Sequence, residues 1–214
     1  TATPPYSLWD GKDYKNLATN YQSANYQAEA KEKYRWIEYN KWKFKFRSFT
    51  GLMGITKTPV LMTRVEFGIL GSYNRYKKSP FEAFYVGGDG TSGYSSGYAT
   101  ETIALRGYDN GSLAGSASSN AYAYSRMTLE LRYPVMMQTS TSIYALAFLE
   151  GGNAWVNIKD FNPFDMKRSA GVGVRILLPM VGLLGVDWAY GFQKYINGQK
   201  VGGSQFHFII GQEF

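Results

Sequence analysis

Few side chains in this sequence could do chemistry. The single histidine, His207, has the ordinary pKa of a general base near neutral pH. Gly88-Asp89-Gly90-Thr91-Ser92-Gly93 matches G-x-G-x-x-G, a spacing that can cradle a pyrophosphate. Lys41, Lys43, Lys45 and Arg47 form a cationic row that could meet phosphates. Each has a plainer reading. His207 lies between Phe206 and Phe208 with no serine and acid nearby in sequence, as a residue of a wall would. The glycine pattern lacks the flanking strand, helix and downstream acid of a βαβ unit, so it reads as a flexible loop. The basic row has every-second-residue spacing, which belongs to one face of a strand. Zero cysteines exclude a disulfide scaffold, a thiolate metal site and a cysteine nucleophile. One histidine leaves no imidazole cluster for zinc. No cofactor, metal or catalytic residue is expected, and an enzymatic role would rest on His207.

These residues must be held by strands, because the dominant period is two. In residues 33–49, Tyr34, Trp36, Trp42, Phe44 and Phe46 alternate with Arg35, Lys41, Lys43, Lys45 and Arg47. Residues 60–73 set Leu61, Val65, Phe67 and Ile69 against Met62, Arg64 and Glu66. Residues 121–135 set Met127, Leu129, Leu131 and Tyr133 against Arg126, Thr128, Glu130 and Arg132. Residues 142–156 alternate weakly, and 169–178, 184–192 and 205–214 complete seven strand candidates. Short links (136–141, 179–183) contrast with long ones rich in Gly, Ser, Asn and Tyr (7–32, 74–120).

The chain has 214 residues and a formal net charge of +7, and 17% of it is aromatic, too much for a disordered chain. Its mean hydropathy of -0.30 looks soluble, but a barrel wall with one greasy and one polar face averages to the same value. A spanning helix needs roughly 20 apolar residues. The longest apolar run is the eleven residues 176–186, broken by Pro179, Gly182 and Gly185. The expected fold is therefore all-β, an antiparallel transmembrane β-barrel; a soluble sandwich or lipocalin-like barrel alternates too and stays open as the alternative. Trp36, Tyr133, Trp155, Trp188 and Phe214 near strand ends are expected to form interfacial girdles. No segment of this sequence reads as a signal peptide, and Thr1–Pro5 is expected to be the tail of an earlier strand. Seven candidates, an odd number, look like a barrel cut in the middle, with 7–8 strands in one unit spanning residues 1–214.

Residues 205–214, Phe81-Glu82-Ala83-Phe84-Tyr85-Val86-Gly87-Gly88 and Leu105-Arg106-Gly107-Tyr108 together resemble segments of the BamA-like family of outer-membrane barrel assembly factors. The segment 205–214 ends on an aromatic residue with apolar residues at alternate positions, as the family's β-signal does. Phe81-Glu82-Ala83-Phe84-Tyr85-Val86-Gly87-Gly88 resembles the opening of the family's large lumenal loop. Leu105-Arg106-Gly107-Tyr108 resembles that loop's signature of an aliphatic residue, Arg, Gly and an aromatic. Thr128-Leu129-Glu130-Leu131, then 148–155, then 168–173 fit the downstream strands. The family's substrate-recognising POTRA domains and the first half of its barrel have no counterpart here, and residues 89–104 are an insertion before the signature.

The resemblance implies a carboxyl-terminal half-barrel that takes part in inserting client β-barrels into the bacterial outer membrane, without covalent chemistry. Arg106 is expected to reach into the lumen and pair with Glu130 and Glu150. Gln205, Phe206, His207, Phe208, Ile210, Gly211 and Phe214 would form the β-signal and one side of the family's lateral gate. Implied partners are outer-membrane lipid and lipopolysaccharide, unfolded outer-membrane clients and accessory lipoproteins of the assembly complex; nucleic acid is not among them. Self-association of the chain is a further expectation. A two-partner-secretion translocation pore, or a passive porin or ligand-binding barrel, are the alternatives.

Overall fold

The computed structural model describes residues 1–54, 58–79, 81–90, 101–114, 120–138, 141–179 and 182–210. Seven long strands dominate it: β1 (Asn40–Gly51), β2 (Val60–Gly71), β3 (Ala123–Met137), β4 (Ser142–Trp155), β5 (Lys167–Leu178), β6 (Gly182–Gly191) and β7 (Ser204–Ile210). They form one sheet in chain order, every neighbouring pair antiparallel. Among the described residues β1 and β7 do not pair with each other, so the sheet is open. Thr1 and Thr3 exchange backbone hydrogen bonds with Lys41 and Tyr39 along the free edge of β1.

Period two sorts the residues by face. One face carries Arg64, Glu66, Arg126, Glu130, Glu150, Arg175, Asp187 and His207, all buried. The other carries Trp42 (72% exposed), Phe44, Leu129, Leu149, Val172, Trp188 and Phe206, all open to the surroundings. This is the inverse of a water-soluble sandwich, which buries its apolar face. It is the wall of a transmembrane barrel, polar toward the lumen and apolar toward lipid. No helix of the described residues is long and apolar enough to cross a membrane; the strands do so, the five inner ones satisfying their backbone through neighbours on both sides.

What buries the polar face is the connection between β2 and β3, whose described residues fold back over it. Within it Phe84–Val86 pairs in parallel with Glu101–Ile103. Phe84, Leu105, Tyr108 and Leu113 pack there on Leu70 of β2, Tyr124 of β3 and Ala154 of β4. The apolar core thus lies between loop and wall, at the end of the sheet where the long connections are.

The structure departs from the sequence expectations at three places. The first strand begins at Asn40: Tyr26–Lys33, rich in Ala, Glu and Lys, forms an α-helix, and residues 34–39 after it are turn and coil. Trp36 therefore lies outside the sheet, stacked on Tyr6 at 5.3 Å between ring centroids. The girdle is also thinner than expected. Trp155 is buried edge-on against Phe161 at 5.0 Å, and Trp188 lies within β6 instead of at its end. Tyr133 is exposed, and Phe214 lies outside the described residues. Finally, the first part of the glycine-rich segment is tied down: the Leu105 N–H donates to the Gly88 carbonyl at 3.1 Å. Thr91–Gly93 lie outside the described residues.

Leu149, 58% exposed at the middle of β4, tests the assignment of faces. Leu149→Arg is expected to lower stability in liposomes by about 2–4 kcal/mol in a urea titration. A change within about 0.5 kcal/mol would mean that this face meets water.

Candidate functional site

Arg106 is the centre of the lumenal site. Its side chain is fully buried and meets carboxylates from three strands. Nη1 donates to Asp187 Oδ2 of β6 at 2.7 Å. Nη2 donates to Glu150 Oε1 of β4 at 2.8 Å and to Glu130 Oε2 of β3 at 3.0 Å. The Arg106 backbone N–H donates to Glu150 Oε2 at 3.0 Å. The guanidinium also lies over the Phe148 ring, 3.4 Å from its centroid. Burial alone would lower the guanidinium pKa, but Glu150, Glu130 and Asp187 together hold it above its ordinary range. Arg106 is a permanent cation with a rigid fork, which lysine could not reproduce.

The acids are themselves shared, as buried carboxylates must be. Glu150 also accepts from Arg126 and from the Thr128 hydroxyl, both at 3.2 Å. Glu130 accepts from Arg132 at 2.7 Å. Asp187 accepts from Arg175 Nη2 at 2.7 Å. Directly across from Asp187 sits Gly173 of β5, where a Cβ would collide with the carboxylate. A glycine is thus needed for the acid to lie flat against the wall.

The rest of the signature is placed with similar economy. Leu105 lies in the apolar core. Gly107 has φ +86 and packs so tightly on β6 that a Cβ would come within 2.7 Å of the Gly191 nitrogen. Its N–H donates to His207 Nε2 of β7 at 2.9 Å. The Tyr108 hydroxyl donates to the Arg168 carbonyl at 2.6 Å and contacts Gln193 Oε1 at 2.7 Å. Burial pushes that phenol up to about 12. Gln205 of β7 donates to Asp109 at 2.6 Å, while Phe206, Phe208 and Ile210 point to the lipid side. Gly211 and Phe214 lie outside the described residues.

The Omp85 superfamily domain model matches residues 4–214. The chain belongs to the Omp85 superfamily. Its fold is similar to that of the crystal structure of BamA from Haemophilus ducreyi lacking POTRA domains 1–3, at 20% sequence identity and a TM-score of 0.56. That match covers 81% of this chain and 35% of the BamA chain, so the sheet corresponds to part of a BamA barrel. No curated protein matches the sequence.

Within this Omp85 domain the structure brings Arg106 to Glu130 and Glu150, and adds Asp187 and Arg175. Their signal was a lone acid and a lone arginine on the small-residue faces of two apolar strands, a position where charge persists only if paired. The basic row of β1 turns to the lumenal face. There Lys41 meets Glu82 at 2.9 Å, and Lys43 meets Glu101 at 3.0 Å. These are bonds between the loop and the wall. Arg64, also buried, stands directly across from Arg47, and among the described residues its Nε and Nη2 have no hydrogen-bond partner.

Arg106→Ala would leave three buried carboxylates short of the cation they share, each with one remaining arginine. It is expected to lower stability by about 3–5 kcal/mol in urea titration of the refolded protein. Arg106→Lys should recover only part of the loss, since a point charge cannot serve three acids in one plane. Full recovery by lysine would show that charge alone matters.

Proposed function

We propose that this chain is the carboxyl-terminal part of an outer-membrane insertase barrel that assists the folding of client β-barrels into the bacterial outer membrane. The observation that carries the reading is the fully buried Arg106 cluster, which fixes the signature loop against β3, β4 and β6 while β7 remains an edge of the sheet. An edge strand in lipid presents backbone N–H and C=O groups whose desolvation is costly until they are paired. The terminal strand of an unfolded client can meet that need by β-augmentation, alternate side chains falling to lipid and to lumen. The energy comes from burying the client, so no covalent step is required and the chain acts without enzymatic chemistry.

Loop packing across the polar face argues against a passive porin, whose lumen must stay open for conduction. Outer-membrane lipid and lipopolysaccharide are the solvent of the apolar face in this reading. Unfolded clients are the partners of β7, and accessory lipoproteins would act from outside the sheet.

A photo-crosslinking residue at Phe206 or Ile210 of β7, in the protein expressed in the outer membrane, is expected to trap an unfolded client during its assembly. Arg106→Ala should reduce that adduct severalfold at equal protein level. Adducts restricted to lipid, with no client, would overturn the proposal.

A further inference from the structure

We propose that neutral His207 is a positioning residue that ties the signature loop to the edge strand β7, and that protonation of its ring releases the tie. The bond joins residues far apart in sequence: the Gly107 N–H donates to His207 Nε2 at 2.9 Å, both groups buried. The donor cannot turn elsewhere. Gly107 is held at φ +86 with its backbone against Gly191 of β6, so its N–H is aimed by packing. A buried backbone N–H needs an acceptor, and the imidazole supplies one.

An accepting Nε2 requires the neutral ring with its proton on Nδ1. Protonation makes both ring nitrogens donors, so a donor then faces a donor across the same gap. The charged and titratable groups facing the ring are Asp187 from β6, Glu150 from β4, and Arg106 and Asp89 from the loop. Asp187 is already engaged by Arg106 and Arg175, and Glu150 by Arg106 and Arg126. A new cation therefore enters a cluster in which Asp187 and Glu150 are already committed. Because the neutral form makes the bond, the tie is present at high pH and is lost as pH falls through the histidine range, ordinarily about 6.5. Arg106 stays charged throughout, so the loop remains fixed to β3, β4 and β6 while its hold on β7 is reduced to the Gln205–Asp109 bond. The bearing of this on client insertion rests on the function proposed above; the tie itself does not.

The test is amide hydrogen exchange of the full chain in detergent, with no client present, so a failed insertion assay leaves it unaffected. The Gly107 amide is compared with those of Arg106, bound to Glu150, and Asp109, bound to the Val201 carbonyl. These report that the loop is folded. From about pH 8 to about pH 5, Gly107 protection is expected to fall about three- to tenfold relative to both neighbours after correction for intrinsic exchange. His207→Phe should lower it to the same extent at every pH, and His207→Gln, which keeps an acceptor, should remove the pH dependence. Wild-type protection that does not change with pH, or that survives in His207→Phe, overturns the proposal. So does a pH profile in His207→Gln as steep as the wild type.

Discussion

Everything in this structure depends on one arginine removed from water. A buried guanidinium is tolerable only if its charge is answered and its donors are used. Arg106 draws Glu130, Glu150 and Asp187 from three strands to a single point, its Nη1 and Nη2 donating to all three. Each acid then draws in a further cation, Arg132, Arg126 or Arg175. The cluster is therefore a network in which every acid is shared between Arg106 and a second arginine. It fixes the loop, and the loop is what keeps the cluster dry. Loop packing and ion pairing are in this sense one interaction seen from two sides.

The membrane makes the other half of the argument. A soluble sheet gains stability by burying its apolar face, and here that face is open along all seven strands. In lipid the same face is already satisfied, so the polar face has to find its partners inside the protein. That explains why the loop between β2 and β3 is long and carries apolar side chains and charges together. Leu105 and Tyr108 fill the core, Arg106 answers the acids, and Glu82 and Glu101 answer the lysines of β1.

The seven strands were legible in the sequence because side-chain alternation is a direct consequence of the strand's period, and the neighbouring long segments keep it for ten residues or more. The two acids Glu130 and Glu150 were legible from resemblance, and Glu130 also from its place between two arginines on the polar face. Asp187 and Arg175 were harder. Each is one charge on an apolar strand, and only the register, which sets Asp187 against Gly173 and His207, brings them to Arg106. The start of β1 was misread because alternating aromatics and cations begin at Tyr34, ahead of the strand: residues 34–39 follow the helix as turn and coil, and ladder pairing starts only at Asn40. The buried state of Trp155 was likewise invisible, since it depends on Phe161 from the next connection.

The attachment of the loop is uneven across the wall, and this unevenness has a physical logic. Strands β3, β4 and β6 are joined to Arg106 by ion pairs in a site sealed from water, where attraction is strong and insensitive to salt. β7 is joined by a neutral backbone donor to an imidazole and by the Gln205 amide to Asp109. A neutral bond contributes about 1 kcal/mol and one to a carboxylate about 1.5–3 kcal/mol, below the roughly 3–5 kcal/mol cost of breaking a buried charge cluster. The loop can therefore stay seated while the edge strand exchanges partners. A wall built this way keeps its lumen closed at the centre and its lability at the margin, which is where a strand of another chain would have to enter.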